Sequence, residues 1–385
     1  MTSKIKVLQV IPTLGFGGAE TGCYDLAHYL AEQDCKSYIV TSGGELLKYV
    51  KKDKVRVFKL PVHSKNPLLI FFNTILLIFI QFIFKIDIVH ARSRAPAWSC
   101  YFSCIFTRRK FVTTFHGTYN FKSGLKKFYN SVMLRSRLII AGSNFIFDHI
   151  NENYQNYLNS KKKLLVIFRG INLDYFHYKN ISEFKKNELK NNWGLEENKF
   201  TILLPGRLSS WKGQEKFIEA LNILNEDYNI SNFQAGVLAS DQGRNVYSKK
   251  LTSLVERYNL NQKIIFIEKC RNMPAAYSLA DVIVSSSIRP EAFGRVAVEA
   301  QAMKKPIVAS NIGGSKETIL NKKSGFLYNH EDPRELAEAI NRVMQMDNDA
   351  LNSMANEGRR NVSKKFDVDK MCQRTFAEYK KLINI

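Results

Sequence analysis

Short apolar runs of β character alternate with helical stretches along nearly the whole chain, and the alternation starts over once. Strand candidates fall at 5–12, 36–41, 55–60, 86–91, 110–115, 138–141 and 164–167, with helical stretches such as 19–32 and 95–107 between them. After a polar stretch at 179–199, rich in Lys, Asn and Glu, they resume at 200–204, 233–239, 263–267, 281–285, 306–309 and 325–328. Parallel strands need a crossover, and a helix is the compact one, so this alternation predicts α/β architecture with parallel sheets flanked by helices. A chain of 385 residues exceeds one ordinary core and suits two domains of similar size. The expected division is 1–185 and 186–366, with 179–199 as an interdomain linker that has room for a short helix. The last helical stretch, 367–383, has no further strand to serve and can reach back to the first domain.

The formal net charge of +22 is carried unevenly. Residues 1–190 hold 29 Lys and Arg against 12 Asp and Glu, a surplus of 17, whereas the remainder holds 28 against 23. A basic first half points to an anionic partner, such as nucleic acid, an acidic membrane face, or a phosphorylated or carboxylated acceptor; a surface that only maintains solubility is the plain alternative. No aromatic-basic ladder or recognised module supports nucleic acid, so none is expected as a partner. The six cysteines form no CxxC pair and have no His at zinc spacing, so reduced thiols, no structural metal and a cytoplasmic protein are expected. The N-terminus runs directly into a strand-like segment without a signal-peptide pattern. Residues 68–84 are apolar except for Asn73, Thr74 and Gln81, which is short of the roughly 20 residues a spanning helix needs. A buried helix and a helix leaning on a membrane surface both remain open for this segment.

Two blocks in the second half carry chemistry. In 205–215, PGRLSSWKGQE, Arg207 and Lys212 sit where a strand hands over to a helix, bracketed by Gly206 and Gly213. Two cations on one rigid loop suit a diphosphate and stabilise the charge that grows on it as a leaving group. In 289–302, RPEAFGRVAVEAQA, Glu291 lies on a loop and Glu299 inside the helix that the loop opens. Amides at Phe293, Gly294 and Arg295 would project from that helix N-terminus toward phosphate or sugar oxygens, and a carboxylate at Glu299 can accept from two vicinal ribose hydroxyls. The four groups together describe a pocket for a nucleotide-activated sugar. In the first half, Gly15 to Glu20 form a glycine-rich turn after the first strand, able to bring amides against an anion. It lacks the G-x-G-x-x-G spacing, and the second strand ends without a carboxylate, which disfavours a nicotinamide oxidoreductase. His116 closes a strand beside Gly117 and can meet a sugar hydroxyl or a phosphate. Arg92 and Arg94 follow another strand end and can meet an acceptor carboxylate or phosphate.

Over essentially its whole length the chain resembles the family-4 retaining glycosyltransferases of GT-B architecture. The elements that carry the resemblance are the GGAE loop at 17–20, His116-Gly117, Gly206-Arg207 with Lys212-Gly213, the E-x7-E element from Glu291 to Glu299, Gly313-Gly314 with Glu317, and Ser324-Gly325-Phe326. The resemblance implies two facing Rossmann-like domains with a central cleft, the acceptor on the first domain and the donor on the second. It also implies roles. Arg207 and Lys212 would hold the donor diphosphate and Glu299 the ribose. Glu291, with the amides of Phe293 and Gly294, would grip the hexose, His116 would contact it near its reacting face, and Gly17 and Gly18 would approach the diphosphate. Stretches such as TTFHGTYN and PEAFGRVAVEAQAM resemble a proteobacterial branch that builds lipopolysaccharide core, mannosyltransferases included.

The expectation is therefore a retaining hexosyltransferase, mannose favoured, with a GDP- or UDP-linked donor. It would act without a metal or other cofactor on an anionic, lipopolysaccharide-core or lipid-linked acceptor, in peripheral contact with the inner membrane surface. A GT-B epimerase or phosphorylase and a basic nucleic-acid-binding protein are the competing readings. One departure is visible: where the family often has Pro-Asn-Gly or Pro-Arg-Gly, this chain has Phe168-Arg169-Gly170, which leaves the role of Arg169 open.

Overall fold

The computed structural model describes residues 4–238, 245–268 and 270–384. The chain forms two compact units, 1–170 with 368–385, and 171–367.

The first unit holds seven strands: β1 (Lys6–Val10), β2 (Lys36–Thr41), β3 (Val55–Lys59), β4 (Ile88–Ala91), β5 (Lys110–Phe115), β6 (Leu138–Ala141) and β7 (Lys163–Val166). All pair in parallel, in the order β3-β2-β1-β4-β5-β6-β7. Helices α1 (Gly18–Glu32), α2 (Pro67–Ile83), α3 (Arg94–Thr107), α4 (Gly124–Asn130) and α5 (Asn144–Tyr154) fall between strands. β1, β4 and β6 are buried along nearly their whole length, as strands covered on both faces must be, and apart from Lys6, Gln9 and His90 they are apolar. The order reverses between β1 and β4. At such a switch point the loops leaving two neighbouring strands diverge to opposite faces and open a crevice at the C-terminal edge.

The second unit repeats this architecture with β8 (Phe200–Pro205), β9 (Phe233–Leu238), β10 (Ile264–Ile267), β11 (Val282–Ser285), β12 (Ile307–Ser310) and β13 (Phe326–Tyr328). The order is β10-β9-β8-β11-β12-β13, again all parallel, so its switch point lies between β8 and β11. Residue 239, the predicted last residue of the second strand here, lies outside the described residues. Its helices are α6 (Glu183–Trp193), α7 (Gln214–Glu226), α8 (Asn245–Arg257), α9 (Met273–Leu279), α10 (Arg295–Ala302), α11 (Ser315–Thr318), α12 (Pro333–Met344) and α13 (Asn348–Lys365). A continuous core joins Ile202, Leu204, Phe217, Leu221, Val282 and Ile340 beneath the sheet.

The boundary between units differs from the predicted division at 185/186. Residues 171–185 belong to the second unit because they are tied to it by partners distant in sequence. The Ile171 amide donates to the Phe366 carbonyl, and Arg359 Nη1 donates to the carbonyls of Phe176 and Ala302. The polar stretch read as a linker with room for a short helix does carry one, α6, capped by Ser182 and ended by a left-handed Gly194, and it lies within the second unit. The last helix, α14 (Val368–Leu382), returns to the first unit, where Met371, Cys372 and Tyr379 share a core with Val7, Leu26 and Ile140. No helix of the described residues is long and apolar enough to cross a membrane.

Candidate functional site

At the second unit's switch point, the loops leaving β8 and β11 are fastened together. The Ile288 amide donates to the Trp211 carbonyl at 2.9 Å, and Ser286 Oγ donates to the Lys212 carbonyl at 3.0 Å. Gly213 sits between them at φ +70°, and a Cβ there would lie 1.8 Å from the Ser286 carbonyl oxygen, so only glycine fits. This close approach brings Lys212 Nζ to 2.7 Å from Glu291 Oε1, with both side chains largely buried. Ser287 Oγ donates to the same oxygen at 2.5 Å. Burial alone would raise the Glu291 carboxyl; the Lys212 ammonium, the Ser287 hydroxyl and the charge of Arg207 outweigh it and hold the group below the usual carboxylate range. Arg207 itself is exposed, with its carbonyl accepting from Gln214 Nε2.

Beyond Glu291 the chain passes Phe293, which packs edge-on against Phe366, and Gly294, the left-handed N-cap of α10. A second glycine pair supports this loop. A Cβ on Gly314 would lie 2.6 Å from the Phe293 backbone, and the Gly314 amide donates to the Glu291 carbonyl at 2.7 Å. The helix that follows buries Glu299, whose two oxygens are both engaged: Tyr277 donates to Oε2 at 2.8 Å and Arg295 Nε to Oε1 at 2.5 Å. Burial, and then the Glu299 charge, push the Tyr277 hydroxyl well above its ordinary value, so it stays a donor. Each carboxylate oxygen retains a further lone pair for a ligand hydroxyl. Nothing in the sequence marked Ser287 or Tyr277 as site residues, and of Arg295 it pointed only to the backbone amide and not to the side chain.

The first unit's switch point is built differently. Gly17 caps α1 and Gly18 opens it, and a Cβ on Gly18 would lie 3.0 Å from the Arg169 guanidinium. One turn on, a Cβ on Gly22 would lie 3.1 Å from Arg92 Nη2. Arg92 is buried, with Nη1 donating to Gln9 Oε1 at 3.0 Å and Nε without a hydrogen-bond partner. Both ring nitrogens of His116 are likewise buried and without a partner. Burial first, and then the charges of Arg169 and Arg92, hold its imidazole well below the usual histidine value, so it is neutral near pH 7. Neutral His90, bridging Tyr379 and Thr114, lies below the same cluster. Arg94, two residues on, has partners of its own: it donates to Asn130 Oδ1 at 2.9 Å and stacks 4.3 Å from the Tyr119 ring centroid. Among the described residues, no group of three or more His, Cys, Asp or Glu is placed to hold a metal ion.

Residues 16–175 match the family described as Glycosyltransferase Family 4, and residues 185–361 match Glycosyl transferases group 1. The chain is 35% identical to a glycosyltransferase from Rickettsia africae, over 99% of both chains with a TM-score of 0.90. It superimposes with a TM-score of 0.81 on Alr3699/HepE of Anabaena, solved in complex with UDP, at 22% identity over 98% of this chain and 100% of that one. It is also 25% identical to spore coat protein SA of Bacillus subtilis, over 77% of this chain and 79% of that protein.

Proposed function

Because this chain belongs to the glycosyltransferases, with family-4-like domains on a GT-B-type fold, we propose that it moves a hexose from a nucleoside diphosphate sugar to an anionic acceptor, with retention of anomeric configuration. The observation that carries the donor assignment is the buried Lys212–Glu291 pair at the second unit's switch point. In the free protein the pair satisfies itself. A donor diphosphate is a stronger partner for Lys212 and exposed Arg207, and its arrival releases Glu291 to accept from a hexose hydroxyl. Phe293 and Gly294 lead into the N-terminus of α10, whose dipole favours the same negative charge. Glu299, oriented by Tyr277 and Arg295, takes the ribose hydroxyls. In the first unit, Gly17 and Gly18 serve the diphosphate, and neutral His116 hydrogen-bonds the hexose.

As the glycosidic bond breaks, negative charge grows on the terminal phosphate, and Lys212 and Arg207 stabilise it without a metal ion. Neither Glu291, engaged by Lys212 and Ser287, nor Glu299, engaged by Tyr277 and Arg295, is placed as a nucleophile. The leaving phosphate oxygen therefore takes the proton of the acceptor hydroxyl as that hydroxyl attacks the same face. Both GDP- and UDP-linked sugars suit the site, and the UDP complex of HepE supports the second. Mannose is the favoured hexose, and a lipopolysaccharide-core or lipid-linked glycan the favoured acceptor, on the narrower motif resemblance and the basic first half. Arg92 and Arg94 are assigned to the acceptor's charge, and the reaction to the cytoplasmic face of the inner membrane.

Thermal-shift screening against GDP-, UDP- and ADP-linked sugars, followed by mass spectrometry with lipopolysaccharide core fragments, tests this reading. Expected are a shift with one nucleotide class and a glycosylated product that persists in excess chelator. Conversion of the donor with no acceptor present would point instead to an epimerase or phosphorylase, and no shift with any donor would remove the assignment.

A further inference from the structure

The buried face of α2 carries Asn73 and Gln81 beside Leu77 and Ile80: Asn73 Nδ2 donates to the Pro61 carbonyl at 3.1 Å, and Gln81 Nε2 donates to Ser103 Oγ on α3 at 2.8 Å while its Oε1 accepts from Thr107. Thr74 satisfies its hydroxyl on the Ile70 carbonyl of its own helix. The opposite face presents apolar residues at helical spacing to solvent, among them Leu68 at 77% exposure, Phe71 at 66% and Ile83 at 69%, with Phe72, Phe79 and Phe82 also exposed. The neighbouring helix extends this surface. Phe102, Ile105 and Phe106 of α3 are exposed, and Phe82 and Phe106 meet edge to face at 6.4 Å.

In water alone this distribution is unfavourable at every one of those positions, since apolar side chains remain hydrated while amides are withdrawn. In contact with hydrocarbon the same arrangement is the favourable one, because polar groups must then be satisfied inside the protein. The charge at the margin fits a particular kind of lipid. An open depression of about 490 Å³, which shares Phe82 with the apolar face, is lined by Lys4, Lys6, Lys85 and Arg109 against a single acid, Asp87. Lys4 also pairs with Asp34. Exposed Arg108 follows at the end of α3.

We propose that the α2–α3 face of the first unit docks on an anionic lipid bilayer, with the Phe and Leu side chains in the acyl region and the Lys85–Arg109 depression receiving lipid phosphate. α2 lies along the surface and does not cross it, in keeping with its 17 residues. This inference rests on the assignment of the reaction to a membrane surface, but none of its residues belongs to either switch point, so its failure would leave the donor assignment standing.

Vesicle flotation of the full chain tests it, using phosphatidylcholine vesicles with and without about 30 mol % phosphatidylglycerol. The chain is expected to float with the anionic vesicles and to be released as salt is raised. A Phe71→Ser, Phe79→Ser, Ile83→Ser variant should lose at least about tenfold in vesicle affinity, and Lys85→Gln with Arg108→Gln should lose roughly fivefold per cation. Unchanged melting and unchanged nucleotide-sugar binding would show that these surface variants remain folded. The proposal is overturned if the wild type stays in solution with anionic vesicles, or if the triple variant floats equally well. It is also overturned if sedimentation velocity shows the wild type self-associating through this face, with the triple variant monomeric.

Discussion

The two switch points use opposite electrostatic designs. At the second unit's switch point the buried charges are paired within the protein: Lys212 with Glu291, and Arg295 and Tyr277 with Glu299. In the first, the charges of Arg169 and Arg92 help to hold buried His116 neutral, and neither ring nitrogen of that histidine has a hydrogen-bond partner. A fully paired site is rigid before ligand arrives and exchanges one partner for another when it binds. A cationic site with unsatisfied donors and acceptors is incomplete until something polar or anionic fills it. The comparison therefore separates a paired second-unit site, where the donor is proposed to bind, from a first-unit site with unfilled polar groups, where the acceptor is proposed to bind.

The largest expected effect breaks the paired design. Lys212→Ala should lower kcat about 10²–10³-fold, the scale of removing one group that stabilises transition-state charge. Steady-state kinetics with saturating donor would show it, and a wild-type kcat would reject the role. Next comes the pH dependence of stability, which sharpens the contrast because it belongs to the first unit. His90 and His116 are held neutral in the fold, well below their ordinary value. As pH falls below about 6.5 the unfolded chain gains protons that the folded chain refuses, so stability present above that pH is lost progressively toward the lower folded values. Each histidine contributes a slope of up to about 1.4 kcal/mol per pH unit there. Denaturant unfolding between pH 7.5 and about 5 should show the decline, and His116→Gln should flatten it; equal slopes for both proteins would contradict the assignment.

Tyr277→Phe removes one donor to a buried carboxylate and should cost about 1.5–3 kcal/mol of stability in the free protein, read from the same denaturant titrations. A neutral result would mean that Glu299 does not depend on its pairing. Smallest of all, Arg169→Ala should let the His116 pKa rise toward its ordinary value, followed by NMR titration of the imidazole. An unmoved resonance would remove Arg169 from the cluster.

What the sequence disclosed was local. The strand ends that lead to Arg207 and His116 follow from apolar runs with a glycine close behind, the one that leads to Glu291 from an apolar run followed by Pro290 and Gly294, and the parallel pattern places such ends on one edge of a sheet. What stayed hidden depends on partners far away in the chain. Ile171 belongs to the second unit through Phe366, and the Arg169 guanidinium lies against Gly18, neither of which periodicity records. Tyr277 found its meaning only when folding brought it to Glu299. The segment at 68–84 was legible as apolar but not as the exposed face it presents, because a helix apolar nearly all round does not disclose which side the protein will cover.

Calorimetric titration of the wild type, Lys212→Ala and the Lys212→Ala, Glu291→Gln double variant with nucleoside diphosphates, and with the matching nucleosides, is the most direct test. Both variants should bind the diphosphate at least about tenfold more weakly while holding the nucleoside as the wild type does, a loss of about 1.4 kcal/mol confined to the phosphates. Equal diphosphate affinity in all three proteins would contradict the placement of the donor at the second unit's switch point.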